Sequence, residues 1–254
     1  MILWYLFFVG TSIVFIILFR IVGFGMLEGY LCTVGIEFGL YLAVSILRSV
    51  RMGQILNEQC DPEKYLAGIR KQKERMRRKP KLIALLSVNE AAAYMLLGDF
   101  AAAKQCLAKI PEENLSDKNG SLFVHTINTI LCHYELGEVE EGERLYEMKL
   151  PLLTLPGKRN KLQVQMLMGE RLYYLHRYDE CYRHMAELLD IELTRRQQLG
   201  LLYRMAQIEA SRGDYELAFK KYRKVARFGN KLWIANAAEA ALQEEVYTEY
   251  RKKP

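Results

Sequence analysis

No Cys-x-x-Cys pair, HExxH, GxSxG or glycine-rich phosphate loop occurs in the 254 residues. Their absence removes the short signatures of dithiol redox, zinc-hydrolase, serine-hydrolase and nucleotide chemistry. Cysteine is sparse: Cys32, Cys60, Cys106, Cys132 and Cys181 form an odd set at irregular spacing. That argues against a disulfide framework and for reduced thiols used as small apolar side chains in a cytosolic setting. The four histidines are His125, His133, His176 and His184, and the cluster with metal-ligand types is His176, Cys181 and His184. Three candidate ligands are too few for a structural zinc site. No catalytic residue, metal or cofactor is expected, and an enzyme with an unrecognised site is the third of three readings.

Charge is nearly missing from the N-terminal part. Residues 1–47 carry only Arg20, Glu28 and Glu37. Ile2 to Phe19 is uncharged throughout; as a helix it would be about 27 Å long, against a hydrocarbon core of about 30 Å. No basic residue precedes it and no small-x-small cleavage site follows, which favours a retained span over a signal peptide. A second apolar stretch, 30–47, has Glu37 near its middle, and Gly35, Gly39 and Ala43 fall at i, i+4 and i+8 on one helix face. The expectation is a transmembrane helical hairpin, 1–47, turning at 20–29. Gly35, Glu37, Gly39 and Ala43 are candidate contacts inside the membrane, because small residues let helices approach and an intramembrane carboxylate seeks a partner. The same residues also suit a hairpin packed on itself, with Glu37 facing its neighbour or water.

Acid is missing from Lys64 to Lys81, where nine basic residues face Glu74 alone, +8 net, while the rest of the chain sums to −2. Residues 48–80 therefore read as a basic juxtamembrane connector, helical from an Asp61-Pro62 start. Arg70, Lys71, Lys73, Arg75, Arg77, Arg78 and Lys79 are candidates for anionic lipid headgroups. Tyr65 is the lone aromatic nearby, which disfavours single-stranded nucleic acid. With Arg48 and Arg51 directly after the second apolar stretch, the positive-inside rule puts 81–254 in the cytoplasm and the hairpin in the cell membrane.

The remaining 81–254 is organised by a turn that occurs four times: GDFAAA from Gly98, GEVEEG from Gly137, HRYDEC from His176 and GDYELA from Gly213, spaced 39, 39 and 37 residues apart. Each places Phe100, Val139, Tyr178 or Tyr215 third and a small residue, Ala103, Gly142, Cys181 or Ala218, sixth. Apolar 3.6-residue patterns flank every turn, so the pattern predicts four helical hairpins, with Ser121 capping the first helix of the second. A last helix, Asn230 to Arg251, with Leu232, Ile234, Ala237, Ala241 and Val246 on one face, would cap the stack.

Over about residues 82–250 these positions resemble the tetratricopeptide repeat family. The bulky residue four after the small one is Leu107, Tyr146, Met185 or Tyr222; the small residue seven before the turn is Ala91, Gly169 or Ala206, with Ile130 departing. The early aromatic of the family is replaced by Ser87, Thr126, Gln165 and Leu202. The resemblance implies an all-α fold: the transmembrane hairpin, then an α-solenoid of about four helix-turn-helix repeats and the capping helix. It also implies a concave groove lined by the first helix of each repeat. Carried onto this sequence, the groove takes Leu85, Val88, Ala92 and Met95, then Val124, Ile127, Leu131 and Tyr134, then Gln163, Met166, Glu170 and Tyr173, then Tyr203 and Gln207. The better partner-binding candidates are Tyr134, Gln163, Met166, Glu170, Tyr173, Tyr203 and Gln207, a surface suited to a peptide or an apolar helix. The same spacing also fits core packing, above all in the first two repeats. The function expected is a membrane-anchored scaffold that recruits partner proteins; the alternative is an accessory subunit recognised through the hairpin.

Overall fold

The computed structural model describes residues 2–23, 25–153 and 157–251, and among these every regular element is helical, with no strand. The chain divides into two compact units, Met1–Gly53 and Gln54–Pro254. Residues 1, 24, 154–156 and 252–254 lie outside the described residues.

The first unit holds α1 (Ile2–Ile21) and most of α2 (Met26–Asn57). α2 runs ten residues past the apolar stretch that signalled it, so the unit boundary falls after Gly53 and not at Arg48. Charge does not end a helix: 48–57 has no proline, and a lone interior glycine costs only about 1 kcal/mol. Among the described residues α2 is the one helix long and apolar enough to cross a membrane; Val9–Ile21 of α1 is apolar but shorter. Gly29 lies so close to α1 that a Cβ there would be 3.2 Å from Phe19 Cβ. Further along, the Thr11 and Ser12 hydroxyls donate to Glu37 Oε1 at 3.2 and 2.6 Å. The polar interruption of α1 thus meets the acid of α2. Ile13, Val14, Ile17 and Leu18 on α1, and Leu31, Val34, Phe38 and Tyr41 on α2, are exposed.

The second unit contains α3 (Pro62–Met76), α4 (Pro80–Leu96), α5 (Phe100–Ala108), α6 (Ser121–Glu135), α7 (Val139–Met148), α8 (Gly157–Tyr174), α9 (Tyr178–Leu189), α10 (Arg195–Ser211), α11 (Tyr215–Phe228), α12 (Trp233–Ala241) and α13 (Thr248–Arg251). Helices α4 and α5, α6 and α7, α8 and α9, and α10 and α11 pack as consecutive pairs. One device closes all four. Gly98, Gly137, His176 and Gly213 adopt left-handed backbone, φ +83°, +76°, +58° and +85°. Their N–H groups donate three residues back, to Met95, Tyr134, Tyr173 and Ala210, and the next N–H donates five back, to Tyr94, His133, Leu172 and Glu209. This is the Schellman pattern, which satisfies carbonyls that a helix end leaves unpaired. In each case a new helix starts at the next position.

The small sixth residues, Ala103, Gly142, Cys181 and Ala218, are all buried. Each pair shares its apolar cluster with its neighbours. One cluster joins α4 and α5 to Cys132 of α6; another joins Phe123, Ile127, Ile130 and Tyr134 of α6 to Leu167 of α8; a third joins α8, α9 and α10; the last joins α10, α11 and α12. Neighbouring pairs thus share clusters, and Leu96 of α4 and Cys60 also pack into the last of them.

Three further expectations need correction. The basic connector is no separate segment: α3 packs on α4, with Tyr65, Leu66 and Ile69 buried, because its apolar residues recur at helical spacing despite the charge around them. Ser121 is the first residue of α6 and not its cap; its Oγ accepts from the Ser116 N–H at 2.8 Å and pins the preceding loop. The closing helix 230–251 is broken, α12 ending at Ala241 and a short 3-10 turn, Glu245–Tyr247, preceding α13. The break lets Tyr247 bury against Phe219 and Tyr222, ring centroids 6.1 and 6.2 Å away, while Val246 stays exposed; such aromatic pairs contribute about 0.5–1.5 kcal/mol beyond their area.

The start of α10 offers a clean test of local stability. Thr194 and Gln197 form a reciprocal capping box. Thr194→Ala is expected to cost about 1 kcal/mol, read as a lower urea midpoint at unchanged m-value; an unchanged midpoint would mean that the box is redundant with the packing of α10.

Candidate functional site

Arg204 stands in the run Leu201-Leu202-Tyr203-Arg204-Met205-Ala206, every member of which is buried, and is itself 5% exposed. A guanidinium in that position must find acceptors, and the neighbouring pairs supply them. Its Nε donates to Glu170 Oε2 of α8 at 2.8 Å and its Nη2 to Glu135 Oε1 of α6. Nη2 also donates to the Tyr174 hydroxyl at 2.9 Å and Nη1 to Gln207 Oε1 at 2.9 Å. The guanidinium lies over the Tyr173 ring at 4.6 Å, and Tyr174 stacks on Tyr134 at 5.3 Å. The first helices of three successive pairs, α6, α8 and α10, thus converge on one cation.

Two carboxylates surround that single positive charge. Burial works against the charged form of Arg204, yet Glu170 and Glu135 hold it well above the ordinary arginine range. Glu135 is pushed up by burial, with Arg204 pulling it down and Glu170 pushing it up again. A second bridge ties the preceding pair to α8: Arg171 reaches both Glu143 oxygens at 2.9 Å through Nε, and the Tyr134 hydroxyl donates to Glu143 at 2.5 Å. Burial opposes ionisation of Glu143, but the bonds from Arg171 and Tyr134 prevail and lower it. Chemically these networks hold neighbouring pairs in register.

Of the seven groove candidates, Glu170, Tyr173, Tyr203 and Gln207 meet at Arg204. Tyr134 is 0% exposed and Tyr203 is also buried, so neither presents free surface. The face expected to be open at the fourth pair is covered by the chain's own α12: Trp233 packs edge-on against Tyr203 at 5.3 Å and Phe100 at 5.7 Å. Gly98 makes room, since a Cβ there would lie 2.9 Å from Trp233 Cβ. Gln163, Met166, Glu170, Tyr173 and Gln207 remain partly exposed, with Gln163 Oε1 buried and unpaired. Val88 and Ile127 are core residues; Leu85 is exposed. Sequence reasoning missed Arg204 and Glu135. The available signal was a lone cation inside an otherwise apolar and aromatic helical run.

The other candidates divide in the same way. A Cβ built at Gly35 or Gly39 meets nothing within 4 Å, and Ala43 is exposed, while Glu37 is held by Thr11 and Ser12. Arg70 donates to the Tyr94 hydroxyl at 2.6 Å and to Glu90 at 3.4 Å, and Lys73 donates to Glu90 at 2.6 Å. Lys71, Arg75, Arg77, Arg78 and Lys79 are exposed and in no ion pair among the described residues. His176 pairs with Tyr178, His184 with the Gln165 carbonyl, and Cys181 Sγ donates to the Gly169 carbonyl, burial pushing that thiol up to about 12. No protein-family model, curated protein or solved structure matches the chain.

Proposed function

We propose that the chain is a membrane-anchored helical-repeat protein of the tetratricopeptide kind. In this reading α1 and α2 form a hairpin in the cell membrane, and the second unit recruits or organises partner proteins at its cytoplasmic face, with no catalysis of its own. One observation carries the reading: four helix pairs closed by the same turn follow a helix whose large apolar side chains are exposed. Such an array places side chains from successive first helices on one surface. Gln163, Met166, Glu170, Tyr173 and Gln207 are its recognition residues, and Tyr134 and Tyr203 support them from beneath. Arg48, Arg51 and the basic stretch 64–81 favour the cytoplasmic orientation.

A second reading rests on the open face at Gly35, Gly39 and Ala43, which fits an accessory subunit seated against another transmembrane helix. Photocrosslinkers at Gln163, Met166 and Gly39, introduced one at a time in cells, separate the two. The scaffold reading expects a discrete protein adduct from Gln163 or Met166 that survives replacement of residues 1–47 by an unrelated hairpin. Adducts from Gly39 alone favour the accessory subunit. For orientation Cys60 is unsuitable, being fully buried. An exposed cysteine introduced as Arg183→Cys is expected to resist an impermeant maleimide in intact cells and to react after lysis; reaction in intact cells would reverse the topology.

A further inference from the structure

The α3–α4 pair ends in a turn that concentrates unneutralised charge. Two turns back along α3, Arg70 and Lys73 are consumed by Glu90 and Tyr94. At the tip, Arg75, Arg77, Arg78 and Lys79 project into solvent. Beside them on the first turns of α4, Leu82 and Leu85 are 39% and 38% exposed; three residues apart, they share a helix face. Cations next to an outward-facing leucine pair match the interface of a bilayer, where long basic stems reach headgroups while apolar side chains enter the acyl boundary.

We infer that this tip, Arg75, Arg77, Arg78 and Lys79 with Leu82 and Leu85, is a docking surface for an anionic lipid bilayer. The inference rests on the membrane-anchored reading and adds a second point of attachment to it. Nucleic acid would satisfy the cations but leave the leucines in water, and the tip has no aromatic side chain on which a base could stack. An anionic surface satisfies both halves of the patch. The charge of the rest of the chain, −2 against +8 for residues 64–81, directs attraction to this place.

The test uses the full chain carrying Cys32→Ala, Cys106→Ala and Leu82→Cys, with an environment-sensitive fluorophore on the new thiol; Cys60, Cys132 and Cys181 are fully buried and resist labelling. The protein is placed in phosphatidylcholine vesicles with and without about 30 mol% phosphatidylserine, and quenching by lipid-borne nitroxide is measured. Quenching is expected only with the anionic lipid, and about 1 M salt should relieve it. Each neutralised cation is expected to lower the docked-to-free ratio about five-fold, so that R75Q/R77Q/R78Q/K79Q abolishes quenching. These side chains have no internal partner among the described residues, so the variant should keep its helical spectrum. Equal quenching in both vesicle types, or none in either while the protein still floats with them, overturns the inference and leaves the anchor intact. A response to a short single-stranded oligonucleotide without one to anionic lipid assigns the patch to nucleic acid instead. Failure to float with either vesicle removes the anchoring reading itself, and the inference with it.

Discussion

Arg204→Met is expected to remove about 3–5 kcal/mol from the stability of the second unit. Methionine keeps an unbranched apolar stem but lacks the guanidinium, so the loss reports the charge together with its hydrogen bonds. It leaves Glu135 and Glu170 facing each other with side chains 15% and 21% exposed and no cation between them. The deficit should depend on pH, with a definite sign. Glu135 is already raised by burial in the intact protein, and removing Arg204 deletes the influence that lowers it. In the variant the folded state then binds more protons than the unfolded chain, whose glutamates titrate near about 4.3. Stability therefore falls as pH rises above that value, and the deficit shrinks on going from about pH 8 to about pH 5.5. Urea titrations of the full chain in detergent, followed by Trp233 emission in a Trp4→Phe background, measure both effects. A loss under about 1 kcal/mol that ignores pH would show that water, and not Arg204, satisfies the two acids. Replacing all three residues by apolar ones should recover most of the loss, since the penalty comes from an orphaned charge and not from a missing attraction.

Arg204 also shows where the sequence stops being informative. The repeated turns were legible because glycine is the residue that tolerates left-handed backbone, as at Gly98 and Gly213, and because Asp99 caps the helix that follows, its Oδ1 accepting the Ala102 N–H at 2.9 Å. His176 takes the same conformation without that advantage and was found by register alone. That Glu170, Tyr173, Tyr203 and Gln207 share a face was legible too, since they were picked out by position and meet at Arg204. Whether that face is open was not. Trp233 covers Tyr203 from a helix 30 residues away in sequence, and no local pattern carries such information. Arg204 lies 34 and 69 residues from Glu170 and Glu135, a pairing that only the stacking of helix pairs creates. The extension of α2 beyond Arg48 and the break after Ala241 have the same origin: charge and apolar spacing mark composition, while packing sets where a helix ends.

Tyr134→Ala should cost about as much as the loss of Arg204, roughly 3–5 kcal/mol, the usual range for truncating a buried aromatic ring. The ring is fully enclosed, stacked on Tyr174 and tied through its hydroxyl to Glu143. Under the proposed scaffold reading, loss of partner binding in this variant would therefore report unfolding, whereas Tyr173→Ala, at a partly exposed position, is the variant that tests recognition. Gly142 supplies the decisive control. A Cβ there would lie 2.6 and 2.7 Å from Tyr134 Cε1 and Cδ1, and that ring is 0% exposed and stacked on Tyr174. Gly142→Ala alone is expected to destabilise by about 1–3 kcal/mol through overpacking. In the Tyr134→Ala background the obstruction is gone, and alanine's helix propensity should make the same change stabilising by up to about 1 kcal/mol. The reversal of sign, a coupling of about 2–4 kcal/mol in a double-mutant cycle, is the signature of direct contact. If Gly142→Ala instead has one effect in both backgrounds, the glycine reflects helix propensity alone, and the close approach of α6 and α7 does not require a small residue at the sixth position of the turn.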